Sequence, residues 1–346
     1  MLTEKRSSML HGILLIALFS CAAFYIGDAQ FFKDLSFSPM IIGIILGMLY
    51  ANSLRNHLPE TWVPGIQFCS KKLLRLGIIL YGFRLTFQDI ANVGTAGILI
   101  DVIVVAVTIL GGIYLGRLLK MDKEIALLTS VGSGICGAAA VLGAESTIQT
   151  KPYKTAVAVA TVVIFGTISM LLYPVLYRAG VLNLTPDEMG IFAGSTLHEV
   201  AHAVGAGNAM GDDIAKVTII VKMIRVMLLI PVLFILAYWV AVRARRAVAG
   251  ATASAKGKIA IPWFAVGFLA IIAFNSFNLL PAEAVDIINY IDTFLLTMAM
   301  VALGAETSID KFKRAGAKPF ILAALIYVWL LFGGWALAKY LAPVLL

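Results

Sequence analysis

Long apolar segments constrain the fold of this chain more than any other feature of its sequence. About 20 mostly apolar residues are enough for a helix to span a bilayer. Hydrophobic residues make up 61% of the chain, and charged residues, at 13%, reach about half the fraction usual in soluble domains. We therefore predict an all-α polytopic membrane protein with one transmembrane domain, residues 1–346. Its eleven predicted spans lie at about 9–27, 38–54, 73–88, 93–119, 123–146, 153–178, 188–207, 213–242, 259–280, 286–306 and 317–344.

The basic residues predict an orientation in the bilayer. The formal net charge of +8 would suggest nucleic-acid binding in a soluble protein, but here Lys and Arg collect in short loops between apolar segments, so no nucleic-acid partner is expected. The positive-inside rule places the amino terminus in the cytoplasm and the carboxyl terminus outside, with Lys151 and Lys154 on the outer side. Residues 247–258 form the best linker.

Two parts of the chain resemble each other. A shift of 223 residues places Pro39 on Pro262 and Asn52 on Asn275, and a shift of 222 places Gly82 on Gly304. Residues 38–119 thus correspond to 261–341, and the central region 123–242 lies between them. Seven spans separate the members of each pair, so the copies have opposite orientation. Such an inverted repeat is typical of secondary transporters.

The fifth and seventh segments are rich in glycine. Closely spaced glycines weaken a helix, and the amino terminus of a half-helix that results from a break favours an anion. We predict two broken helices whose substrate-facing residues are Ser133, Gly134, Cys136, Gly137, Ser195 and Thr196. The alternative is that these small residues only permit close helix packing.

The predicted topology contains one inconsistency. Segments five and seven cross the membrane in the same sense, whereas repeat-related broken helices should oppose each other. Either one of them is re-entrant, or they are not repeat mates.

Charged residues within the apolar segments predict coupling or gating positions. Lys222 and Arg225 lie three residues apart on one helix face and need a partner, which could be Glu199, Glu145, Asp101 or an anionic substrate. A static internal ion pair is the alternative. Arg84 and Glu306 are equivalent under the 222-residue shift. They could pair with each other, form opposite gates or be two independent interfacial charges.

Residues 198–202 have the sequence H-E-x-x-H, which on a helix can hold zinc beside a glutamate general base. No third ligand follows in a recognised spacing, so an intramembrane metalloprotease is the weaker hypothesis, and we expect no enzyme, metal or cofactor. His198 and Glu199 could instead exchange a proton during transport. For His202 we favour a neutral side chain that is satisfied across a helix interface.

Several of these motifs together resemble a known family. G-S-G-I-C-G-A-A at 132–139, G-S-T-L-H-E-V-A at 194–201 and residues 74–87, 157–167, 262–277 and 292–296 are similar to the YeiH-type sulfate exporter family of bacterial inner-membrane proteins. The resemblance implies a multi-pass protein of the cytoplasmic membrane, and the label of the family suggests that it transports sulfate or a related sulfur oxyanion. Family members usually carry Gln at the position of His202.

The sequence thus predicts a secondary transporter of a small anion, with a site near mid-membrane between segments five and seven. His198, Glu199, Lys222, Arg225, Arg84 and Glu306 are the predicted coupling or gating residues. A coupling proton or Na⁺ and a homo-oligomeric state are compatible with this prediction. A cation/proton antiporter is the closest alternative, because broken helices and buried carboxylates serve that function equally well.

Overall fold

The computed structural model describes residues 2–29, 38–54, 59–247, 263–307 and 316–345, and these residues contain helices and no β-strand. Most of the predicted linker 247–258 lies outside them. The helices are α1 (Leu2–Gly27), α2 (Pro39–Leu49), α3 (Val63–Phe68), α4 (Leu74–Tyr81), α5 (Phe87–Leu118), α6 (Lys123–Gly134), α7 (Ala138–Ile148), α8 (Pro152–Arg178), α9 (Pro186–Thr196), α10 (Val200–Met210), α11 (Asp212–Met227), α12 (Leu229–Ala247), α13 (Trp263–Ser276), α14 (Ala282–Glu306) and α15 (Ala317–Ala336). A π-helical segment, Leu337–Leu341, extends α15.

Six helical stretches within the described residues are long and apolar enough to cross a membrane. They are Ser7–Gly27, Phe87–Leu118, Tyr153–Arg178, Asp212–Val240, Ala282–Glu306 and Ala317–Leu345. Shorter apolar helices accompany them. The chain is therefore a multi-pass helical membrane protein, whereas the predicted count of eleven spans is not confirmed.

The fifth predicted segment folds back on itself as a hairpin of α6 and α7, which we name the first hairpin. Its chain reverses at Gly137, whose φ of 75° is a conformation that L side chains rarely adopt. At the base of the hairpin, Lys154 Nζ lies 2.6 Å from Asp122 Oδ2 and 2.8 Å from Glu124 Oε2. The residues just before α6 and just after α7 therefore lie at the same end of the molecule.

The seventh segment forms a second hairpin, of α9 and α10. Gly190 and Gly194 of α9 pack successively against residues 214–217 and 218–221 of α11, so these two helices run parallel. Gly207 of α10 packs against Ala215 near the start of α11, so α10 runs antiparallel to it. A Cβ on Gly194 would lie 2.6 Å from the Thr218 carbonyl oxygen, so this close packing requires glycine.

The two hairpins enter from opposite ends of the molecule. We name the end that holds Asp122 and Lys154 face A. Face B is the end where Arg178 Nη2 donates to Ala209 O at 2.5 Å. Helix α8 runs from face A to face B, so the hairpins on either side of it point toward each other. This arrangement resolves the topological inconsistency, because each broken segment begins and ends at the same face. It also places Lys154 at the same face as Asp122, although Lys154 was predicted to lie on the outer side.

The helices form two bodies. Body 1 contains α1–α4, α13 and α14, and body 2 contains α5–α12 and α15. The main contacts between them are those of α10 with α2 and α14, and of α13 with α5 and α11. Both hairpins belong to body 2, which positions their tips beside the boundary between the bodies.

Candidate functional site

A cavity of about 790 Å³ lies between the two bodies. Its lining on α8 extends from Thr155 to Ile164, roughly 13 Å along the helix, so it reaches from near face A to the middle of the molecule. At its inner end it contacts both hairpin tips. The tip residues that line it are Cys136, Ala138, Ala139, Glu199, Val200 and Ala201.

Two fully buried cations hold the tips together from the side of α11. Lys222 Nζ donates to the carbonyl oxygens of Ile135 at 2.8 Å, Leu197 at 2.5 Å and His198 at 3.0 Å. Arg225 donates to those of Gly134 and Ser133, each at 2.7 Å, and of Leu197 at 3.0 Å.

These acceptors lie at the carboxyl ends of α6 and α9, where a helix leaves its last carbonyls unpaired and carries a partial negative charge. The two cations therefore neutralise two converging helix ends. Within the described residues, none of the ion pairs involves Lys222 or Arg225, so the predicted carboxylate partners are replaced by backbone carbonyls.

Asp101 is a buried carboxylate near this cation pair. It is fully buried on α5 within electrostatic range of Arg225 and Lys222, and neither of its carboxylate oxygens has a hydrogen-bond partner among the described residues.

Glu199 connects the second hairpin to the first. Its Oε1 accepts a hydrogen bond from the Ala138 backbone N–H, at 3.2 Å, at the first residue of α7. The side chain lies directly over Gly137, where a Cβ would come within 2.2 Å of Glu199 Cγ. The carboxylate thus compensates the positive amino terminus of α7.

The amino terminus of α10 has no side-chain cap. Glu199 occupies its N-cap position with φ of −112° and ψ of 158°, but the side chain makes no capping hydrogen bond there. The first N–H groups of a helix have no partner within the helix, and Val200 and Ala201 of this first turn line the cavity. The inner end of the cavity therefore meets a helix amino terminus without a side-chain cap.

The structure brings all six predicted substrate-facing residues to the tips, but only some of them face the cavity. Cys136 lines it, and Gly137 lies beneath the Glu199 side chain. Ser133, Gly134, Ser195 and Thr196 are buried behind the tips, and Thr196 Oγ1 lies 3.0 Å from the Tyr173 hydroxyl. Sequence reasoning missed Ala138 and Val200, because only their backbone groups are polar. Their positions directly after the breaks are the signal that could have identified them.

The H-E-x-x-H motif straddles the break before α10. His198 and Glu199 precede the helix, so the motif does not present two imidazoles from one helix, as zinc coordination by this motif requires. Both histidines pack over Gly166 of α8, and their four ring nitrogens have no hydrogen-bond partner within the described chain. Among the described residues, no group of three His, Cys, Asp or Glu side chains could hold a metal ion.

Arg84 and Glu306 do not form a direct ion pair. Arg84 Nη2 lies 3.3 Å from Asp292 Oδ2 and donates to Asn289 O at 2.8 Å and Thr293 Oγ1 at 2.7 Å. Glu306 lines the cavity instead. Asp292 and Glu306 lie roughly 21 Å apart along α14, so Arg84 cannot reach both.

These features define a class: multi-pass helical membrane proteins in which two opposed hairpins meet beside a cavity between two helical bodies. The chain belongs to the family described as Conserved hypothetical protein 698, which matches residues 11–323.

Relatives of this chain carry the UPF0324 name. It is 72% identical to a UPF0324 membrane protein of Bacteroides thetaiotaomicron over 342 residues, which are 98% of this chain and the whole of the relative. It is 46% identical to a UPF0324 membrane protein of Bordetella pertussis, over 95% of this chain and 94% of the relative. It is also 44% identical to the UPF0324 inner membrane protein YeiH of Escherichia coli K12, over 94% and 92% of the two chains. The resemblance to the YeiH-type family is confirmed.

Proposed function

We propose that this protein is a secondary transporter of a small inorganic or sulfur-containing anion, such as sulfate, across the bacterial cytoplasmic membrane. The observation that carries the proposal is the amino terminus of α10, which has no side-chain cap and lies at the inner end of the cavity. Backbone N–H groups at a helix amino terminus bind anions, and the helix dipole adds to the attraction. The carboxyl ends of α6 and α9 are already neutralised by Lys222 and Arg225.

Transport requires access from both faces, and an inverted repeat can supply two related states. Two hydrogen bonds support the repeat. Asn52 Nδ2 donates to Thr307 O at 3.3 Å, and Asn275 Nδ2 donates to Leu85 O at 3.0 Å. Asn52 corresponds to Asn275 and Leu85 to Thr307 under the shifts found in the sequence. Body 2, which carries both hairpins, would move against body 1.

The same scheme assigns an orientation. With both broken segments folded back, Lys123, Lys151 and Lys154 share face A, together with Lys120, whose carbonyl accepts from Lys318 Nζ at 3.4 Å. Because basic residues mark the cytoplasmic side, face A is cytoplasmic in this proposal, and the amino terminus lies inside and the carboxyl terminus outside.

A substitution at the first residue of α10 tests the anion position. Proline is tolerated there because that N–H has no helical partner, and the extended conformation of Glu199 suits a residue that precedes proline. Val200→Pro removes one donor, and Val200→Ala is the matched control that keeps it. A charge-assisted hydrogen bond contributes about 1.5–3 kcal/mol, so in proteoliposomes Val200→Pro should raise the KM for labelled sulfate, sulfite or thiosulfate roughly 10- to 100-fold. Equal KM values for the two variants would mean that the anion does not bind at this position.

A cation/proton antiporter is the second candidate. Three carboxylates, Glu145, Glu199 and Glu306, line the cavity and could attract a cation. Flux under imposed Na⁺ and pH gradients distinguishes the two functions. Na⁺/H⁺ exchange without movement of any sulfur oxyanion would replace the anion proposal.

A further inference from the structure

The residues of body 1 that line the cavity have repeat equivalents that lie together near face B. On the side of body 1, the cavity is lined by Gln67, Ser70, Lys71, Ile78, Leu303 and Glu306, among others. The 222-residue shift maps these six residues onto Asn289, Asp292, Thr293, Met300, Tyr81 and Arg84. These equivalents lie together as well, because Arg84 contacts Asn289, Asp292 and Thr293, and its guanidinium stacks on the Tyr81 ring at 4.9 Å.

The packing around the two groups is also related by the repeat. Gly304 of α14 approaches α2 so closely that a Cβ would lie 2.2 Å from Ile44 O. Its repeat mate Gly82 approaches α13, where a Cβ would lie 2.9 Å from Phe268 O. Both glycines pack their helices against equivalent stretches of α2 and α13. The two ends of body 1 are thus built alike, although only one of them faces an open cavity.

The group near face B contains buried polar atoms that lack partners. Arg84 Nε, Asn289 Oδ1 and both carboxylate oxygens of Asp292 make no hydrogen bond within the described residues. Asp292 is fully buried, and its contact with Arg84 is an ion pair without hydrogen-bond geometry. A buried polar group without a partner is destabilising by about 1–3 kcal/mol. Arg84 Nε, Asn289 Oδ1 and Asp292 Oδ1 have neither a hydrogen bond nor an ion pair within the described residues, so they indicate a place that is hydrated or liganded.

Body 2 covers this region from the other side. Met300 is fully buried, and its Cε would lie 2.8 Å from a Cβ on Gly205 of α10. Its repeat mate Ile78 is also buried, but it is one of the residues that line the cavity on face A. A displacement of body 2 that closes the cavity on face A would therefore separate Met300 from Gly205 and open the equivalent space near face B.

We propose that Tyr81, Arg84, Asn289, Asp292 and Thr293 line a second vestibule, which opens to face B when the cavity on face A closes and in which the Arg84 guanidinium binds the transported anion. This inference rests on the proposed transport function. It assigns Arg84 to the outer pathway and Glu306 to the inner one.

Cysteine accessibility tests the vestibule. In a variant without the three native cysteines, Met300→Cys is treated with a membrane-impermeant maleimide from one face at a time. Val181→Cys, in the exposed loop between α8 and α9 on face B, reports full access and the vesicle orientation. Arg75→Cys, at an exposed position that lines the cavity, is the control for face A. We expect labelling of Met300→Cys from face B, more slowly than Val181→Cys, and labelling of Arg75→Cys from face A.

No labelling of Met300→Cys from face B, in a time that labels Val181→Cys fully, overturns the inference. Because the shorter side chain could disturb packing, Thr297→Cys provides a second fully buried position, whose repeat mate Arg75 lines the open cavity. If both positions react equally from both faces, the labelling reports unfolding and the vestibule is rejected.

Arg84 is tested by flux. Arg84→Gln should raise the KM for anion offered at face B at least several-fold and leave the KM at face A unchanged, and equal changes at both faces would remove Arg84 from the vestibule. Labelling needs no substrate, so the two proposals fail separately. A protein that exposes Met300 but moves no sulfur oxyanion loses its substrate assignment, whereas one that moves the anion without exposing Met300 loses the vestibule.

Discussion

Replacing Lys222 by methionine should destabilise the protein by several kcal/mol, although the substitution removes a buried charge. Methionine has nearly the length of lysine but cannot donate a hydrogen bond. The change leaves Ile135 O and His198 O without the Lys222 donor, while Leu197 O keeps its 3.0 Å bond from Arg225. The tips then lose the cation that three carbonyls share.

The magnitude follows from three contributions. Two orphaned buried carbonyls are destabilising by about 1–3 kcal/mol each. The Lys222 ammonium also attracts the carboxyl ends of α6 and α9, each of which carries about half a negative charge about 4 Å away. At an effective dielectric constant of about 20, losing this attraction adds roughly 4 kcal/mol. The methionine side chain avoids the desolvation penalty of a buried ammonium, which offsets several kcal/mol of this loss. The net expected loss in the free energy of unfolding is about 3 kcal/mol.

Thermal unfolding in detergent, followed by size-exclusion chromatography, measures this loss. Lys216→Met is the matched control, because Lys216 is partly exposed and forms a surface ion pair with Asp213 that spans 3.7 Å. Such a surface pair contributes about 0–1 kcal/mol. If Lys222→Met unfolds at the same temperature as Lys216→Met, buried helix ends do not require this cation and the reasoning is wrong.

Three further substitutions or reagents test other parts of the site. Gly137→Ala should abolish flux, because the added Cβ would overlap the Glu199 side chain at a φ of 75°, whereas Gly111→Ala on α5, with open space around it, should be neutral in flux measurements. Lys154→Met should lower the unfolding temperature at neutral pH by loosening the base of the first hairpin. Partial burial raises the pKa of Asp122, but hydrogen bonds from Lys154 and two backbone N–H groups lower it more. The ion pair of Lys154 with Asp122 therefore stabilises the protein at neutral pH and is lost as the pH falls through the lowered pKa. The effect of Lys154→Met should shrink over the same pH range. Cys136 lines the cavity and should react with small thiol reagents from face A, and bound anion should slow that reaction in mass-spectrometric labelling.

The sequence predicted the helical class, the glycine-rich breaks and the proximity of their flanking residues. Dense glycines at 132–137 and 194–207 identified the breaks because that composition is unusual inside a helix. The sequence did not predict that the chain reverses at each break. A straight interrupted helix and a hairpin have the same apolar length, and contacts such as that of Lys154 with Asp122 decide between them.

The sequence also did not predict the partners of the buried cations. Lys222 and Arg225 were expected to meet a carboxylate or a substrate, because side chains are the partners that a sequence displays. Their partners are carbonyls at helix ends, which every residue carries and which become available only when a helix stops. Glu199 was predicted as a coupling or gating residue, but its bond across to Ala138 depends on how the two hairpins meet.

The position of Glu199 makes a prediction about coupling. Glu199 directly precedes α10, so an anion on the first N–H groups of that helix would lie close to a carboxylate of the same sign. At about 4 Å and an effective dielectric constant of 20, each pair of unit charges repels by roughly 4 kcal/mol, and a divalent anion doubles that. A proton on Glu199 removes the repulsion and weakens its bond to Ala138 N–H, so anion binding should be accompanied by proton uptake. Anion flux should therefore increase as the pH at face A falls, whereas Glu199→Gln should retain flux and lose its dependence on pH. If Glu199→Gln keeps the pH dependence of the parent, the coupling proton binds elsewhere, and Asp101 becomes the residue to replace.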